Sequence, residues 1–417
     1  MDLDFLKKTD PEIFDLVKKE LERQRNGLQL ISAENHASIA IMEAAGTWLT
    51  NKYSEGYPGK KYYGGNQFID IIETIAIERA KKLFNMEHAN VQPNSGSPAN
   101  MACYYAFMEL GDKFMSLNLT NGGHLTHGHP VNFSGKWYKP CFYDIEPDTY
   151  LIDYDKLRKQ AEKEKPKLIL AGFTVYPREV KFKEIAEIAK DVGAYFMADI
   201  SHTAGLVVTG NHISPAPEAD VIMTTTHKTL RGPRSAVILC KNEYAKKIDR
   251  AVFPGLQGGP LNHIIAAKAV CFKEAMTPEF KNYQDQIVKN ARVLAKTLVD
   301  NGFNLITGGT DTHTMLGDVT PFGLSGREAQ DLLESVGIYV NKNMIPFDKR
   351  KPMDPSGLRI GVPPVTTRGM KESEMKLIGE MIIEVLKNKD NEAVKNSVKE
   401  RVLELCNKFP LYPEIEI

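Results

Sequence analysis

Cysteine is sparse and scattered in this chain: Cys103, Cys141, Cys240, Cys271 and Cys406 are its only five in 417 residues. No two form a C-x-x-C pair, which argues against a disulfide framework or a zinc site and for reduced thiols. No apolar run approaches the ~18–20 residues that a bilayer-spanning helix needs. Excess charge is lacking too, because 53 lysines and arginines balance 53 aspartates and glutamates. No bulk field therefore draws the chain to nucleic acid or anionic lipid. The first ten residues lack the basic stretch and apolar centre of a signal peptide. The expectation is a cytoplasmic protein with no membrane and no nucleic-acid partner. Internal repeats and low-complexity linkers are absent as well.

What is present is a globular composition, 42% hydrophobic and 25% charged, in a chain long enough for two to three domains. Residues 11–24 place Ile13, Phe14, Leu16, Val17 and Leu21 along one helical face, with Asp10 as N-cap and Pro11 at the first helical position. From about residue 75, helical stretches alternate with short runs that begin at Lys167, Ala194, Ala219 and Ala236. These runs are almost continuously apolar, as strands buried on both faces must be. The alternation predicts an α/β fold with a largely parallel sheet and an active site at the carboxyl ends of its strands. After Gly259 a long helical stretch leads to Gly-punctuated strands and an amphipathic helix near 372–387. The expected division is an N-terminal arm (1–50), a large domain (51–275) and a smaller C-terminal domain (276–417).

Several segments carry chemistry. In Asp220-Val-Ile-Met-Thr-Thr-Thr-His-Lys a buried strand runs into His227 and Lys228. A lysine at a strand mouth is costly unless it is paired, depressed in pKa or used covalently; otherwise it is a solvated loop residue. Tyr195-Phe-Met-Ala-Asp-Ile-Ser-His ends a strand at Asp199, with His202 three residues on. That carboxylate suits a pyridinium nitrogen, a magnesium ion or a helix cap. Ser95, Gly96 and Ser97 open a helix and either offer amides to a phosphate or form an ordinary N-cap. Asn121-Gly-Gly-His-Leu-Thr-His-Gly-His holds three histidines without carboxylate or thiol, so a ring stacking from His124 is favoured over a metal site. Arg359, in an apolar strand-like run, needs an anion: a substrate carboxylate or a structural partner. The Gly- and Tyr-rich 51–65 loop has Glu55 as its one carboxylate and hence its candidate proton carrier.

These segments, with Leu30-Ile-Ser-Ala-Glu-Asn and Asn341-Lys-Asn-Met-Ile-Pro-Phe-Asp, together resemble the serine hydroxymethyltransferases almost end to end. The resemblance implies an aminotransferase-like fold-type I homodimer with active sites shared across the interface. A mostly parallel seven-stranded sheet would build the large domain, beside a small α+β domain. Pyridoxal 5'-phosphate would be covalent on Lys228, with His227 its neighbour. Ser95, Gly96 and Ser97 would hold the phosphate, Asp199 the pyridinium nitrogen, and His202, Thr174 and Thr225 would border the cofactor under a stacked His124. Tyr53, Glu55, Tyr63, Gly258 and Gly259 would reach the partner subunit's site, Glu55 and Tyr63 catalytically. Arg359 and Ser32 would bind serine or glycine. Leu119, Gly123, His124, Leu125, Asn341, Lys351, Pro352 and Met353 would line the pocket for tetrahydrofolate or a modified pterin. The implied reaction is reversible hydroxymethyl transfer from serine to tetrahydrofolate. A folate-independent aldolase on the same scaffold is the alternative.

The chain departs from the family pattern in places. Ala33 stands where serine is usual, Leu256 and Ser235-Ala236 where glycines are, and Lys351-Pro-Met where Ser-Pro-Phe borders the folate pocket. Phe173-Thr-Val-Tyr-Pro replaces Phe-Ser-Ala-Tyr-Ser but keeps a hydroxyl at Thr174. No catalytic group is lost.

Overall fold

The computed structural model describes residues 3–415. They fall into two compact units, one of residues 40–285 and the other of 3–39 with 286–415. No helix among the described residues is long and apolar enough to cross a membrane.

In the 40–285 unit the apolar runs form strands because neither face meets water. The strands Leu168–Gly172, Val221–Thr225 and Ala236–Cys240 are buried at every position. They belong to a seven-stranded sheet ordered His88–Asn90, Ala236–Cys240, Val221–Thr225, Tyr195–Asp199, Leu168–Gly172, Lys113–Leu117, Lys139–Tyr143. Ala236–Cys240 runs antiparallel to both of its neighbours, and the other pairings are parallel. Parallel neighbours need crossovers, and helices supply them. One such helix, Phe182–Asp191, buries Phe182, Ile185, Ile188 and Ala189, an apolar stripe at helical spacing. The parallel strands share one direction, so Asp199 and the segment after Thr225 both lie at carboxyl ends.

The other unit is built on a four-stranded antiparallel sheet ordered Asn304–Leu305, Thr314–Asp318, Gly357–Gly361, Asn341–Asn343. The Glu372–Lys387 helix buries Ile378, Ile382 and Val385 in its core. Residues 3–39 belong to this unit. Their helix Pro11–Arg25 starts as the sequence predicts, with Asp10 Oδ1 accepting the Ile13 amide at 3.1 Å. Leu28–Gln29 then pairs in parallel with Ile338–Tyr339.

Candidate active site

Lys228 follows Thr226 and His227 directly beyond the Val221–Thr225 strand. The turn that presents it is closed by Gly232 N donating to Thr226 O at 2.7 Å and Arg231 N donating to Lys228 O at 3.0 Å. Thr229 Oγ1 fastens it to the neighbouring strand's exit by donating to His202 O at 2.7 Å, and Gln284 Nε2 donates to Thr229 O at 2.7 Å. Burial, with the charges of Lys228 and Arg234, pushes the His227 imidazole down to about 3, so it is neutral at physiological pH.

Asp199 is the last residue of its strand. Its Oδ2 accepts from Asn100 Nδ2 and meets His127 Nε2, both at 3.1 Å, and its Oδ1 accepts from the Ser201 amide and hydroxyl at 3.1 and 2.6 Å. Burial opposes ionisation, yet hydrogen bonding with His127 and its charge, joined by Ser201 and His124, hold the carboxyl well below its ordinary range. Ser201 Oγ also accepts the Thr225 amide at 3.0 Å, which ties Asp199 to the strand that ends before Lys228. The packing is tight: a Cβ at Gly172 would lie 2.6 Å from His127 Cε1 and 2.8 Å from Asp199 Cβ.

The histidine loop sits on the same network. His124 Nδ1 pairs with Thr126 Oγ1 at 2.7 Å, and that hydroxyl accepts from Asn100 Nδ2 at 2.8 Å. Thr174 donates its hydroxyl to the carbonyls of Gly122 and Gly123, fixing the turn before His124. Gly122, at φ 112°, needs glycine there. Leu119 lies in the short 3₁₀ turn that precedes it, and Leu125 is exposed.

Ser95 precedes the helix Gly96–Phe107 in extended conformation, and its side chain makes no capping bond. A Cβ on Gly96 would lie 2.8 Å from Thr225 Cγ2, so the helix opening abuts the end of the Lys228 strand. A second group gathers in the same unit. Tyr53 donates its hydroxyl to Glu55 Oε1 at 3.3 Å and meets the Tyr63 ring edge-on at 5.0 Å. Gly258 lies against Glu55 and Gly259 against the Tyr53 ring, as near as a Cβ allows. The Glu55 charge raises the Tyr53 hydroxyl.

Arg359 belongs to the other unit. It sits in the Gly357–Gly361 strand opposite Asn341, to whose Oδ1 its Nε donates at 3.0 Å. Burial lowers its guanidinium to about 10 while Glu34 pulls the other way. Ser32, fully buried against Gly361, has a hydroxyl without a partner. Lys351, Pro352 and Met353 are exposed.

Sequence reasoning missed Asn100, Ser201 and the specific role of His127. His127 was in view as one of three histidines, but only the fold reveals which of them reaches Asp199. The model of the family described as serine hydroxymethyltransferase matches residues 6–382 of the chain.

Proposed function

The chain belongs to the serine hydroxymethyltransferase family, and from that premise we propose that Lys228 is the covalent anchor of its cofactor and Asp199 the partner of the cofactor's ring nitrogen. The activity is the reversible transfer of the serine hydroxymethyl group to tetrahydrofolate, leaving glycine, with pyridoxal phosphate as cofactor. When bound, that cofactor supplies an electron sink for the bond broken at the substrate's α carbon.

The residues present fit it. Thr225 Oγ1 and His227 Nδ1 are buried without partners, beside a helix opening that only glycine's small size leaves clear. The observation that carries the reading is the four-bonded Asp199 carboxylate, held ionised one strand away from Lys228. Ionised, Asp199 would hold a proton on the ring nitrogen of the bound cofactor. Ser95, Gly96 and Ser97 offer hydroxyls and amides to the phosphate. When the cofactor is bound, His124 would stack on its ring, and Thr174, His202 and Thr225 would border it. His227 stays neutral and adds no charge beside the Lys228 amine. Glu55 moves the proton of the substrate hydroxyl, with Tyr53 and Tyr63 orienting it. In the other unit, Arg359, with Ser32, carries the chemistry to bind the amino-acid carboxylate. Leu119, Gly123 and Leu125 in one unit, and Asn341 and Lys351–Met353 in the other, are assigned to the folate.

A second copy of the chain is part of this reading. Trp48 (81% exposed), Tyr62, Phe68 and Ile71, all near Tyr53 and Glu55 in the sequence, are large apolar side chains left exposed, and a homodimer would cover them and lend Tyr53, Glu55, Tyr63, Gly258 and Gly259 to the partner's site. The free cysteines fit a cytoplasmic setting.

Borohydride reduction of the loaded protein, followed by peptide mass spectrometry, tests the anchor. The cofactor mass should sit on Lys228, and the visible absorption band should vanish in Lys228→Ala. A label on another lysine would sink the assignment. Glu55→Gln should lower kcat on the order of 10²–10⁴-fold.

A further inference from the structure

Lys268 lies in the middle of the Asn262–Ala275 helix and is 1% exposed. Its ammonium donates to three main-chain carbonyls: Val91, Ala236 at 3.0 Å and, more weakly, Pro93 at 3.4 Å. Two of these belong to the short segment between the His88–Asn90 strand and the helix opening at Ser95. A buried lysine is tolerated only when its donors are used, and here two of the three bonds go to that segment and the third to the adjoining Ala236–Cys240 strand. Ser235, where the family pattern has glycine, adds a second bond to the same carbonyl, its Oγ donating to Pro93 O at 3.0 Å. Gln257 closes the other side, accepting from Asn94 N at 3.1 Å and donating to Gln92 O at 3.0 Å. The segment is thus tethered at every residue from 91 to 94. A planar peptide whose carbonyl is fixed has its following amide fixed as well.

We propose that Lys268 and Ser235 are positioning residues that clamp the 91–94 segment, holding the amides and hydroxyls of Ser95–Ser97 in their phosphate-binding arrangement before the cofactor arrives. The clamp rests on the assignment of Ser95–Ser97 to the phosphate. It lowers the ordering that binding would otherwise require, which is where preorganised sites gain affinity. Ser235 makes it tighter in this chain than in a relative with glycine there.

The test titrates the apo protein with pyridoxal phosphate and, separately, with pyridoxal, which lacks the phosphate. Wild type, Ser235→Gly and Lys268→Met are compared, and hydrogen exchange of the 94–99 amides is followed in each apo protein. The Kd for pyridoxal phosphate should rise about threefold in Ser235→Gly and more than about tenfold in Lys268→Met, as expected for losing one hydrogen bond or a charged cluster of them. Pyridoxal should bind all three proteins alike, and exchange at 94–99 should quicken in the variants. Equal losses for both ligands mark general destabilisation and overturn the proposal, as does unchanged exchange. Should Lys268→Met fail to fold, Ser235→Gly, which removes only a hydroxymethyl group, decides by the same two readouts. A wild type that binds the two ligands equally would instead overturn the phosphate assignment, and the clamp's purpose with it. A wild-type preference that persists undiminished in both variants overturns the clamp alone.

Discussion

Lys268 in the 40–285 unit and Arg368 in the other are both buried cations held by main-chain carbonyls, but they grip different things. The Arg368 guanidinium donates to the carbonyls of Arg25 and Gly27 at the end of the Pro11–Arg25 helix, and to those of Cys406 and Phe409 at the end of the Glu392–Lys408 helix. Helix C-termini are the negative ends of helix dipoles and leave carbonyls without intrahelical partners. A planar fork with five donors suits two such ends at once. Lys268 is a compact charge with three donors that grip a loop beside the candidate site. Burial brings it down to about 7, whereas a guanidinium keeps its proton. The same carbonyl chemistry therefore joins helices in one unit and shapes a loop in the other.

Removing the arginine should give the largest effect. Arg368→Met leaves several buried carbonyls unsatisfied and should destabilise the protein by about 4 kcal/mol in urea unfolding. Cofactor affinity per folded molecule should be unchanged, and a matching loss of affinity would erase the distinction between the two cations. Next is His36, buried in the same unit and pushed down to about 4 by burial, with the Arg368 and Arg23 charges adding to the shift. The folded state resists a proton that the unfolded chain takes up near pH 6.5. Stability is full above that pH and falls as pH drops from 6.5 towards 4, by up to about 3 kcal/mol. The loss should shrink in the Arg368→Met background, and a His36→Gln variant should lack it. Equal acid sensitivity with and without His36 would assign the loss to other groups.

The two cations also divide what the sequence made legible. The apolar runs became strands, and Asp199 and Lys228 stand at strand exits, because a polar residue ending an apolar run is local information. The pairing of His127 with Asp199 spans 72 residues and depends on the room that Gly172 leaves for the His127 ring beside Asp199. Lys268 meets carbonyls 32 and 177 residues away, and a carbonyl carries no mark of its residue type. One signal did exist: a lysine between Ala267 and Ala269 in a helix whose neighbours are buried. Arg368 could not be read at all, since its partners are the ends of helices remote in sequence.

Gly172→Ala tests the 40–285 unit without touching any cation. The added methyl would sit under 3 Å from both His127 and Asp199, and overpacking of this kind costs about 2 kcal/mol. Its main effect should fall on the site: the Asp199–His127 contact opens, and the bound cofactor's visible band shifts or weakens. An unchanged band with normal affinity would show that Asp199 tolerates displacement. Arg368→Met should do the reverse, losing stability and keeping the band.

The smallest effect should come from Glu20→Ala, and it separates burial from bonding. Glu20 makes a bidentate pair with Arg23, with contacts of 2.7 and 2.8 Å, and hydrogen bonding to Arg23 draws its carboxyl down to about 2. By geometry alone this pair rivals the contacts of Arg368. Yet the Glu20 side chain is 50% exposed, and water and salt screen the attraction while two long side chains lose freedom. Arg23 also keeps its place over the Tyr339 ring at 4.7 Å when Glu20 is gone. The expected loss is no more than about 0.5 kcal/mol and shrinks as salt is added. A loss above about 2 kcal/mol would mean that bond geometry outranks burial in this unit, and the contrast between Arg368 and the surface arginines would have to be drawn on other grounds.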